Sequence, residues 1–113
     1  MPQDGFVAVL VIELHFPDAG SLKSKRKDLQ SIRSLLHSRF GAAVAEVGHQ
    51  DLWQRSTLLA TLASPAAHVL DETVDSIERW LIARCPAGVQ IERIFASLGD
   101  LQDAFSARFG FGG

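Results

Sequence analysis

Apolar residues alternate from Phe6 to Phe16, with Phe6, Ala8, Leu10, Ile12, Leu14 and Phe16 on one face and Val7, Val9, Val11, Glu13 and His15 on the other. That period of two predicts a strand whose first half is apolar on both faces. After Pro17-Asp18-Ala19-Gly20-Ser21 the period lengthens. Leu22, Leu29, Ile32, Leu36 and Phe40 fall at helical spacing and Gly41 stands where a terminator is needed, which predicts a helix over 22–39. Residues 42–47 read as β-like and residues 56–63 as a second short strand. Ser64 is placed as an N-cap with Pro65 at the first helical position, and the stripe Leu70, Val74, Ile77 and Leu81 predicts a helix over 65–84. Pro86 and Gly88 end it, and residues 89–98 supply a fourth strand.

The order β-α-β-β-α-β predicts an α+β, ferredoxin-like sandwich. Right-handed crossovers interleave its two halves into a four-stranded antiparallel sheet of order 4-1-3-2, with both helices on one face. Residues 1–98 form this single domain. The tail, 99–113, reads as a short helix folded back on the domain, because Leu101, Ala104, Phe105 and Phe109 lie about a turn apart, followed by a flexible end. The sheet face away from the helices is expected to hold Val7, Val9, Val11, Val44, Thr57, Leu59 and Thr61. Such a face is too apolar for water, so the tail or a second subunit is expected to cover it, the latter giving a homodimer through the open sheet.

Composition narrows the function classes. The 113 residues carry 11 Lys+Arg and 13 Asp+Glu for a net charge of −2, with 47% hydrophobic residues, which describes one ordinary soluble domain. The single cysteine, Cys85, cannot make an internal disulfide, and the apolar run 6–12 is too short to span a bilayer. A cytoplasmic location without a membrane partner is therefore expected. Slight net acidity argues against coating nucleic acid with the whole surface, so any anion site must be local.

One such place stands out. All three lysines, Lys23, Lys25 and Lys27, cluster with Arg26 in Ser21-Leu22-Lys23-Ser24-Lys25-Arg26-Lys27, at the helix end where the backbone dipole is already positive. Free amides, the Ser21 and Ser24 hydroxyls and four cations suit a phosphate, although a charge run on a helix also serves as a solvated face. A second dense stretch, Glu46 to Arg55, joins the second and third strands and is longer than a hairpin needs. It offers His49, Gln50, Asp51, Trp53, Gln54 and Arg55; the Trp53 indole can stack on a base, but as a structural residue it is expected first to pin the loop to the core. Topology puts both stretches at one end of the sheet. Glu46, His49 and Asp51 lack metal-ligand spacing, no nucleophile motif accompanies His49 and Asp51, and phosphate-loop or dinucleotide glycine patterns are absent. No metal, cofactor or catalytic residue is expected. His37 and His68 read as helix-surface residues, and Cys85 as structural.

Ser21-Leu22-Lys23-Ser24-Lys25-Arg26 and Val44-Ala45-Glu46-Val47-Gly48-His49-Gln50-Asp51-Leu52-Trp53-Gln54-Arg55, in this order after an apolar strand, closely resemble the YlxP-like family of small bacterial proteins, a domain family of unknown function. The resemblance spans about residues 6–98. It implies a ferredoxin-like fold and a cytoplasmic bacterial protein whose gene, in many relatives, lies among translation-factor and ribosome-maturation genes. It carries over no catalytic residue. The residues and the resemblance together lead to a non-enzymatic accessory protein that binds RNA or a ribosomal particle through Lys23, Lys25, Arg26, Lys27, His49, Gln50, Trp53 and Arg55. RNA binding on the open sheet is disfavoured because the third strand has no aromatic residue. The alternatives are an enzyme or sensor taking a small phosphorylated ligand at the same end, and a structural module that dimerises through the sheet.

Overall fold

A computed structural model describes residues 4–109. The elements are β1 (Phe6–His15), α1 (Leu22–Phe40), β2 (Ala43–Gly48), β3 (Arg55–Ser64), α2 (Ala67–Arg84), β4 (Val89–Ser97) and α3 (Leu98–Phe109). The sheet order is β2-β3-β1-β4, with every neighbouring pair antiparallel. This is the expected α+β arrangement with β1 and β3 at the centre, compatible with a ferredoxin-like fold.

The alternation of β1 decides which side is core. Ala8, Leu10, Ile12 and Leu14 are buried beneath the helices and pair with Leu62, Ala60, Leu58 and Ser56 of β3. From α1 come Leu29, Ile32 and Leu36, and from α2 Leu70, Val74, Ile77 and Leu81. Each of these leucines and isoleucines contributes on the order of 2 kcal/mol by leaving water. Leu22, expected in the apolar stripe, is instead 39% exposed, because the chain enters the helix outside the core edge. Arg93 of β4 clamps the free edge of α2, bonding Asp75 at 2.7 Å and also Glu78.

One element end and one facing differ from the sequence expectation. Ser64 does not cap α2: it still pairs with Phe6 as the last residue of β3, and its hydroxyl accepts from the Ala66 amide at 3.1 Å, so the helix starts after Ala66. Val44 is not on the open face either. It pairs with Ala60, which places it on the helix side, while Ala43 and Ala45 take the open-face register opposite Thr61 and Leu59. The bulge between Glu46 and Gly48 pushes Val47 out to 52% exposure.

The tail helix does not fold back. Ser97 ends β4 and also caps α3, accepting from the Asp100 amide at 3.0 Å while its own amide donates to Asp100 Oδ2 at 3.1 Å. That amide, with the Ser97 hydroxyl, holds the Asp100 carboxyl below its ordinary range. With no residue between strand and helix, α3 projects past the sheet, and the described residues measure 53 × 29 × 20 Å. The expected flexible end, 110–113, lies outside the described residues.

Gly41 closes α1 in the left-handed region at φ 75°, its amide bonding the His37 carbonyl at 3.0 Å while Ala42 reaches back to Leu36 at 3.1 Å. A Cβ there meets no neighbour, so its cost is conformational. Gly41→Ala should destabilise by about 1 kcal/mol and lower the melting temperature by roughly 4 °C, readable by circular dichroism.

Candidate nucleic-acid and anion interface

The four clustered cations divide on the surface of α1. Leu29, Ile32 and Leu36 mark the inward stripe, and one turn earlier that stripe continues at position 25. Lys25 is therefore buried, 1% exposed. Lys23, Arg26 and Lys27 point outward. An ammonium taken from water needs oxygen ligands, and the β2–β3 loop supplies them. Lys25 Nζ donates to the His49 carbonyl at 2.7 Å, to the Leu52 carbonyl and, at 3.5 Å, to the Gln50 carbonyl. Glu46 Oε2 lies 3.7 Å away and is itself held by the Ser56 hydroxyl at 2.9 Å. Lys25 thus departs from the ligand-contacting role expected of it: its charge is spent inside the protein, organising the loop.

The loop is shaped to meet that ammonium. The β2 bulge ends at Gly48, where a Cβ would approach the Thr57 hydroxyl to 3.1 Å, and His49 takes the left-handed conformation at φ 59°. The Leu52 amide closes a turn onto the His49 carbonyl at 3.2 Å, and the Gln54 carbonyl accepts from Phe16 at 2.8 Å. Gln50 is exposed and its amide reaches the Glu46 carbonyl at 3.4 Å. Trp53 is 48% exposed, so it is no core anchor.

Arg55 stands apart from this group. It pairs with His15 in the register that continues through Thr57 and Glu13 on the open sheet face, whereas the α1 cations lie on the helix side. The Ser21 hydroxyl is also occupied, accepting from the Ser24 amide at 3.1 Å as the helix N-cap. What the sequence reading missed is the stripe next to Lys25. Arg26, Gln30, Arg33 and His37 recur at spacings of four and three and line an open groove of about 650 Å³ against Val44 and Glu46 of β2. Arg26 and Arg33, seven residues apart, are separated by roughly 10 Å along the axis. The His37 Nδ1 sits 3.1 Å from the Ala42 carbonyl. The signal was present as a helical repeat of polar residues, but it is indistinguishable in sequence from an ordinary solvated face.

At the same end, His15, Asp28, Arg84, Cys85 and Pro86 border a second cavity of about 350 Å³. Burial pushes the Cys85 thiol up; Arg84 pulls it back and Asp28 adds to the rise. The structure therefore supports the structural reading of this cysteine. Among the described residues no group of three His, Cys, Asp or Glu is placed to hold a metal, and no helix is long and apolar enough to cross a membrane.

Replacing Lys25 by Met leaves the Glu46 carboxylate and the loop carbonyls without their cation. Lys25→Met should cost about 3 kcal/mol in urea denaturation, and the loop amides 49–54 should exchange faster. Alkylation of Cys85 at neutral pH should be slower in the folded protein than in urea, in proportion to its burial and its reduced thiolate fraction.

Three similarities bear on identity. The de novo designed protein Foldit4 has the same fold with a TM-score of 0.56, covering 81% of this chain and 96% of its own at 10% identity. The uncharacterized protein YlxP of Bacillus subtilis (strain 168) is 45% identical over 40 residues, which amount to 35% of this chain and 44% of the YlxP chain. The chain thus matches less than half the length of that relative. A family model described as "Protein of unknown function (DUF503)" matches residues 7–93, and with that span the chain belongs to the DUF503 family.

Proposed function

We propose that the protein is a non-enzymatic accessory factor that binds RNA or an RNA-containing particle such as a ribosomal subunit at the α1 and β2–β3 loop end. Lys23, Arg26, Lys27 and Arg33 contact phosphates, and the exposed Trp53 ring stacks on an unpaired base. One observation carries this reading: the Lys25 ammonium binds the loop on which Trp53 is displayed to the helix that displays the other cations. An exposed indole normally costs solubility without return, and a loop preorganised around it lowers the entropy lost on binding. Gln50, and His49 beside it, would hydrogen-bond a base edge in this reading. Arg55 serves only a ligand that wraps past the sheet end, since it belongs to the other face.

Labelled single-stranded RNA, titrated at several salt concentrations, tests the surface. Wild type should bind with an affinity that falls as salt rises, and Arg26→Ala/Arg33→Ala should lower the log-log slope by about 1.4, the loss expected for two single-strand phosphate contacts. Trp53→Leu should weaken binding roughly tenfold while leaving that slope unchanged. In a gradient, wild type should migrate with ribosomal particles at low salt and the double arginine variant should not. Equal affinities and equal slopes for all three proteins would overturn the proposal.

A further inference from the structure

The sheet face opposite α1 and α2 is uncovered. It carries Val7, Val9 and Val11 from β1, Leu59 and Thr61 from β3, Ala43 and Ala45 from β2, and Ile94 from β4, the last 46% exposed. Its charges are unevenly placed. Glu13 and Glu92 fall opposite Gln90 and Val11, in the half nearest the loop end, while the rows Val7-Ala63-Ala96 and Val9-Thr61-Ile94 hold none. The half without charge is the half from which α3 departs. It also lacks the aromatic rings and cations that a nucleic acid would need.

At this end the molecule presents a second apolar surface. Leu101 of α3 is 45% exposed and Phe105, one turn on, is 53% exposed. An apolar cleft of about 330 Å³, bordered by Phe6, Val7, Ala63, Pro65, Leu98 and Leu101, joins the helix to the open face. The two surfaces fit each other in character, yet within one chain α3 meets the open face only at this cleft, through Leu98 and Leu101. Ser97 is at once the end of β4 and the cap of α3, Leu98 is bonded to the Gly5 carbonyl at 2.8 Å, and a helix without a connecting residue cannot reverse onto its own sheet.

We infer that a second copy of this chain covers the open face, with the α3 of each copy laid across Val7, Val9 and Ile94 of the other about a two-fold axis beside the cleft. Because helix and face lie at the same end, one rotation satisfies both copies reciprocally, as a closed isologous contact requires. Four strands at about 4.8 Å spacing over the roughly 12 Å of charge-free length give on the order of 230 Å² of projected face per copy, so two such faces with the two helices laid on them approach the ~1,000 Å² that a specific interface needs. This surface is separate from the one proposed for RNA, and neither proposal depends on the other.

Sedimentation of the full chain should give the dimer mass at micromolar concentration. Leu101→Glu, on a helix outside the core, should keep the wild-type circular dichroism spectrum while weakening the dimer at least ~30-fold. Two single-cysteine additions locate the contact: a mixture of Val9→Cys and Leu101→Cys proteins should form a disulfide-linked heterodimer on mild oxidation, with the buried Cys85 left in place in both. A wild-type monomer would overturn the inference, as would a Leu101→Glu protein that stays fully dimeric. Cross-linking of Leu101→Cys only to itself would replace it with a helix-to-helix contact.

Discussion

An ammonium group withdrawn from water has to be surrounded by oxygen, and meeting that requirement for Lys25 shapes the whole functional end of the molecule. The ligands come from the His49, Gln50 and Leu52 carbonyls, with Glu46 as the counter-charge, so α1, β2 and the loop are bound into one unit. The peculiarities of the loop follow. The bulge after Glu46, the tight Gly48 and the left-handed His49 turn backbone carbonyls inward, where a plain hairpin would direct them along the sheet. Polar satisfaction and burial agree here, since none of the buried side-chain nitrogens and oxygens among the described residues is left without a partner.

The same requirement sorts the basic residues by role. Lys25 lies in register with Leu29, Ile32 and Leu36 and is structural; Arg26 and Arg33, one position further round, border the groove and are available to solvent. Lysine suits the first position because its compact ammonium donates to three converging carbonyls, and arginine suits the second because its planar fork meets phosphate in two places. A cation cluster that looks uniform along the chain therefore contains one residue whose removal acts on stability and others whose removal acts on binding.

Periodicity made the fold legible. The period of two in β1, the α2 stripe from Leu70 to Leu81 and the terminator Gly41 each report a local rule that tertiary packing does not contradict, and the strand order follows from handedness. The ends of elements were less legible, as Ser64 shows: its cap propensity was overridden by pairing with Phe6. Facing was legible only up to the strand's register, which is why Val44 was assigned to the wrong side while Val7, Val9 and Val11 were not. The site was read at the level of segments. Lys25 could have been recognised by extending the Leu29-Ile32-Leu36 spacing back one turn, whereas the Arg33 and His37 groove depends on how β2 lies beside α1, which no local pattern encodes.

The bulge in β2 also bears on how the molecule behaves in crowded solution. β2 is an outer strand, and an outer strand with a regular ladder of free amides and carbonyls is a template for unlimited pairing with other chains. Two of the remedies natural sheets use are present at once: the ladder is only six residues long, and its regular spacing stops at the shift between Glu46 and Gly48. On the opposite border, β4 carries Arg93 fastened to Asp75 and Glu78 of α2, so a charged side chain is anchored where a foreign strand would have to approach. Growth from either border into a fibrillar array is thereby discouraged, and a chain rich in valine and leucine keeps its sheet edges from seeding association.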